Sequence, residues 1–150
     1  MRYVNSGGLL LLMLTLFNCG CKKHNDKGSL TGTWELRQTS AAMNPQASQY
    51  PAGNGNIVEL KDGNYKIYKG GQVIKSGHYS SIADATVGDN VCLVLPKGQY
   101  TNRIAYEDST TLKIFYQVQG NTLSFYAGCY AYDAGHQEIF ERVQPVGSGN

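Results

Sequence analysis

Three features of this 150-residue chain predict an all-β fold, an up-and-down antiparallel barrel of about eight strands or else a β-sandwich. Apolar and polar residues alternate along short runs, tight-turn dipeptides separate those runs, and no stretch sustains a helical period. Composition agrees, because 18 glycines and 11 tyrosines favour turns and strands over helices.

The first strand is read over residues 32–40, GTWELRQTS. Ser40 to Gly55, with two prolines among small polar residues, reads as a long loop. Residues 56–80 form a three-stranded meander. There Val58 and Leu60 alternate with Glu59 and Lys61, and Asp62-Gly63 turns the chain. Tyr65 and Ile67 then alternate with Lys66 and Tyr68, and Gly70-Gly71 turns it again. Both dipeptides supply the positive φ that two-residue hairpins require. Further strands are read over 90–96, 103–108, 111–119, 122–128 and 137–143, with Gly120-Asn121 as another hairpin turn. So many short strands in succession suit a closed barrel, which removes the hazard of open sheet edges. Eight strands leave an interior wide enough for side chains or one small ligand.

The amino terminus has a different character. Arg2 precedes the apolar run Leu9 to Phe17, which is shorter than the roughly 20 residues a spanning helix needs. A positive start and a short apolar core describe a signal peptide, read here over residues 1–20. The run stops at Cys19 and Cys21 and resembles the lipobox of bacterial lipoproteins. Cys19 has the apolar Leu16 three residues before it but the bulky Asn18 directly before; Cys21 has the small Gly20 before it but Asn18 at the apolar position. The charged segment KKHNDKG starts directly after Cys21 and favours that residue, with Cys19 the alternative. The resemblance implies a lipid anchor in a bacterial cell envelope, at the outer membrane, with 21–29 as tether. At about 0.8 kcal/mol per buried CH₂, several acyl chains such as palmitate hold a small domain durably. Residues 30–144 are then one domain and 145–150 a disordered tail.

Gly32-x-Trp34, opening the first strand, is similar to the Gly-x-Trp signature of lipocalins. In that family the tryptophan closes one barrel end, and an arginine from the last strand lies across it. Phe140 and Arg142 share one face of the last predicted strand, so Arg142 is the matching residue. The resemblance implies a barrel-closing pair, Trp34 and Arg142, and a large first loop over the opposite mouth. A Thr-Asp-Tyr signature in a later strand is not found.

Cys92 and Cys129 lie on separate predicted strands of a chain read as exported, where a disulfide forms readily and two cysteines allow one pairing. The alternative is two free buried thiols. Asp133 and His136 read as a solvated turn, and a zinc site needs more convergent ligands than this spacing offers, so neither metal nor cofactor is expected. Glu35, Glu59, Glu107, Glu138 and Glu141 alternate with apolar residues, as solvent-facing strand positions do. There is no Gly-x-Ser-x-Gly elbow and no phosphate-binding glycine loop, so the chain does not read as an enzyme. A formal net charge of +2 without a basic cluster gives nucleic acid no footprint.

The tyrosines remain. Spread over nearly every strand, they either fill the core and outer faces or line an amphipathic cavity. Tyr65, Ile67, Tyr79, Tyr116 and Phe125 are the expected lining residues. The sequence therefore predicts a monomeric, membrane-anchored barrel that binds a small apolar or amphipathic molecule. The rival is a filled barrel whose loops, chiefly 40–55, dock a protein or glycan.

Overall fold

A computed structural model describes residues 28–107 and 112–143. The signal peptide, Cys19, Cys21, most of the tether, residues 108–111 and the tail lie outside the described residues. The described chain forms nine strands: β1(Gly32–Ala41), β2(Asn44–Gln49), β3(Ile57–Lys61), β4(Asn64–Lys69), β5(Gln72–Ala83), β6(Asn102–Tyr106), β7(Ile114–Gln119), β8(Thr122–Ala127) and β9(His136–Arg142). β1 pairs antiparallel with β3, each of β3 to β8 with the next, and β9 back onto β1. Eight strands thus close into an antiparallel barrel, and β2 is one extra strand. The sandwich alternative is set aside, because the ladder closes on itself.

The turns follow from local chemistry. Asp62 and Gly63 both have positive φ, as do Gly70 and Gly71, so each pair makes a two-residue hairpin whose twist matches its strands. β1 runs along two neighbours on one edge. Residues 32–35 pair with β3, and residues 38–41 pair with β2. The expected long loop therefore contains a strand, because β1 outruns β3 and leaves backbone groups that Asn44–Gln49 satisfies. Composition concealed this, since NPQASQ has almost no strand-forming residue.

A second correction concerns residues 90–96, read as a strand. Val87–Val91 is a short helix, α1, and the chain after it is irregular. Val87 and Val91 bury their side chains on the outside of the barrel, against Tyr100 and Phe115. The apolar run exists for that contact and not for a place in the sheet. Cys92, just past α1, is bonded to Cys129, just past β8, and this clamps the β5–β6 connection to the wall. A cross-link spanning 37 residues stabilises by about 4 kcal/mol on loop-entropy grounds.

The main core lies inside the barrel and includes Trp34, Leu36, Leu60, Tyr65, Ile104, Leu123, Phe125 and Phe140. Ladder, both clusters and disulfide all lie within residues 28–143, so this segment carries what it needs to fold on its own.

Candidate functional site

The two ends of the barrel differ. At one end lie the start of β1, the β3–β4 and β7–β8 turns and the end of β9. Trp34 is wholly buried there, and its indole N–H donates to the Leu30 carbonyl at 2.9 Å. The Arg142 guanidinium lies 4.1 Å from the centre of the Trp34 ring. It also donates to the carbonyls of Thr31 at 2.8 Å and Ser29 at 2.7 Å. One side chain thereby caps the ring and ties down the incoming chain. Gly32 leaves room for this packing, because a Cβ there would run into the guanidinium and force it to shift. Leu60 and Leu123 fill the barrel behind the tryptophan.

The opposite end is open. A cavity of about 430 Å³ enters it, walled by Leu36, Val58, Ile67, Ile114, Phe125 and Phe140, with Tyr50, Tyr68 and Ile74 at its edges. Tyr106, His136, Glu138 and Thr39 supply polar groups within this apolar lining, and Lys69 stands exposed at the end of β4.

Of the five expected lining residues, Ile67 and Phe125 border the cavity. Tyr65 faces inward but lies fully packed, its ring 4.6 Å from that of Tyr106, which does border the cavity. Tyr79 pairs with Tyr106 across β5 and β6, and Tyr116 pairs with Phe125 across β7 and β8. Both are half-buried against the interior core without bordering the cavity, and the Tyr116 hydroxyl is 2.6 Å from Ser81 Oγ. The remaining tyrosines divide between the two sides of the wall. Tyr100 and Tyr126 stack edge to face on the outside, beside Tyr130.

Glu138 and His136 correct the sequence reading. Both were expected in solvent, yet both sit on the inner wall. The reason is period two: Arg142 and Phe140 point inward, so Glu138 and His136 do as well. That signal was present once Arg142 had been placed. Burial pushes the Glu138 carboxyl above its ordinary value, with His136 opposing the rise. Burial, and then the nearby Glu138, pushes the Tyr106 hydroxyl up as well.

Glu35 also differs from expectation. It is outside the barrel but buried beneath the segment after β2, and its carboxylate accepts from the amides of Gly53 at 3.0 Å and Gly55 at 3.1 Å. Burial alone would raise its pKa. The two amides and Arg37, 2.6 Å away, outweigh burial and hold it below the usual carboxylate range. Tyr50, at the cavity mouth, is tied to β1 by its own amide, which donates to the Arg37 carbonyl at 2.8 Å. On the far side Asp84 anchors the β5–β6 connection through Thr86 and Lys113, which hold its carboxyl well below the usual range.

Comparison with protein-family models, characterised proteins and solved structures finds no match to this chain. Among the described residues no group of three His, Cys, Asp or Glu side chains converges as metal ligands would.

Proposed function

We propose that this chain is a lipid-anchored protein of a bacterial cell envelope, at the outer membrane, whose lipocalin-like barrel holds a small apolar or amphipathic molecule. The observation that carries the reading is the cavity at the end opposite the Trp34–Arg142 plug. Its volume of about 430 Å³ lies within the range of small-molecule sites, and its walls are mostly apolar with a few polar groups. The plug gives the barrel one stiff, closed end, so a ligand enters and leaves by the other. The role is that of a carrier or reservoir rather than a catalyst, and a closed barrel suits a monomer. Membrane attachment rests on Arg2, the apolar run before Phe17, and the cysteines that follow it.

Native mass spectrometry of residues 28–150, purified gently from the secretion pathway, tests the binding claim. A bound small molecule that is lost on denaturation supports the reading and identifies its ligand. A bare protein that also fails to bind an apolar naphthalene-sulfonate fluorophore contradicts it, and favours docking through the loops instead. Attachment is tested separately with an alkyne-bearing fatty acid fed to cells. Cys21→Ser should abolish its incorporation and Cys19→Ser should not.

A further inference from the structure

The inference here rests on the cavity being a binding site and concerns which headgroup it selects. Among the described residues bordering the cavity, Glu138 is the sole carboxylate. Its cross-strand partners are Thr39 on β1 and Phe125 on β8. No hydrogen bond or ion pair to its oxygens occurs among the described residues, although His136, two positions earlier on the same face, contributes a favourable field when charged. A carboxylate drawn into an apolar wall without a donor is costly, and the cost is relieved by a ligand that brings one.

The surrounding groups narrow the donor's character. The rings of Tyr106, Phe125, Phe140 and Tyr50 border the same space. Phe125 and Phe140 meet edge to face, with centroids 5.6 Å apart. Aromatic walls attract a cation through their negative faces. Besides Glu138 and His136, the charged side chain among the described residues at the cavity is Lys69, exposed at the mouth and not inside. An anionic headgroup moving inward would leave Lys69 and approach Glu138. A cationic one moves from repulsion at the mouth to attraction at the wall.

We propose that the cavity takes an amphipathic amine, its protonated nitrogen against Glu138 and its apolar part against Val58, Ile67 and Phe140. Selection then depends on the headgroup more than on the chain, since the apolar contacts are unspecific.

Octylamine, octanol and octanoic acid carry the same chain and differ only in headgroup. Calorimetric titration of each into residues 28–150 at neutral pH, where the amine is protonated, ranks them. Octylamine should bind about tenfold or more tightly than octanol, with octanoic acid weakest. Glu138→Gln should bring octylamine to within about threefold of octanol. The ranking on the native sequence needs no variant, so it decides the matter even if Glu138→Gln misfolds. Octanoic acid binding tightest, or an amine preference that survives Glu138→Gln, overturns the amine assignment and leaves the cavity a binding site. If none of the three binds, the binding-site reading fails and this inference falls with it.

Discussion

Replacing Arg142 with Met tests how the closed end is held. Met keeps an apolar stem over the indole and removes the guanidinium. Lost with it are the stack at 4.1 Å on Trp34 and the hydrogen bonds to the carbonyls of Thr31 and Ser29. The stack is worth about 1 kcal/mol at a half-buried site. Each charge-assisted bond to a partly exposed carbonyl contributes about 1 kcal/mol net. The expected loss is therefore about 3 kcal/mol, equivalent to a Tm lower by about 12 °C for a domain of this size. Trp34 is the one tryptophan of the chain, so its fluorescence reports unfolding in urea from inside the perturbed site. Native emission should also shift to the red, because the ring loses its cover. Arg142→Lys should lose about half as much, since an ammonium retains the charge without the planar fork. A loss below about 0.5 kcal/mol for Met, or a Lys variant equal to the native protein, would refute the assignment of Arg142 as the clasp.

Three further outcomes are expected. Cys92→Ser with Cys129→Ser should lower stability by about 4 kcal/mol and raise hydrogen exchange in α1 and residues 92–100, while the interior ladder stays protected. The pKa values of Glu35 and Asp84 are lowered in the fold, so their stabilisation is present above the ordinary carboxylate range and is lost as pH falls through the folded values. Urea midpoints measured down an acid series should fall there, and Glu35→Gln should flatten that fall. Glu138 has the opposite sign: its folded pKa is raised, so its contribution is most favourable at low pH and is lost as pH rises through the raised value. Glu138→Gln should therefore raise the neutral-pH Tm, and the gain should vanish in acid.

What could be read from the sequence was whatever short-range chemistry decides. Asp62-Gly63 and Gly70-Gly71 turn the chain because their backbone preferences need no tertiary help, and the strands between them alternate cleanly. β2 was hidden because its edge position on β1 is what makes it a strand, and nothing in Asn44–Gln49 prefers one. Residues 90–96 misled for a related reason. Apolar side chains signal burial without saying which surface buries them, and Val91 packs on the outer wall. At the cavity, Ile67 and Phe125 were legible as apolar inward positions, whereas Tyr79 and Tyr116 share the inner face but sit away from the cavity. Glu138 was misread because composition makes an alternating glutamate look solvated. Its period-two relation to Phe140 and Arg142 already turned that glutamate inward, and the register of β9 against β1 and β8 agrees.

The central claim is that the open end of the barrel is a binding site. Amide spectra of nitrogen-labelled residues 28–150, recorded while octylamine, octanol and octanoic acid are each titrated in, give the most direct test. The account predicts saturable shifts gathered at Thr39, Val58, Ile67, Phe125 and Glu138, with the Trp34 indole N–H and Leu60 at the plugged end unmoved. No saturable shift, or shifts gathered on Val87, Tyr100 and Phe115 of the outer wall, would contradict it.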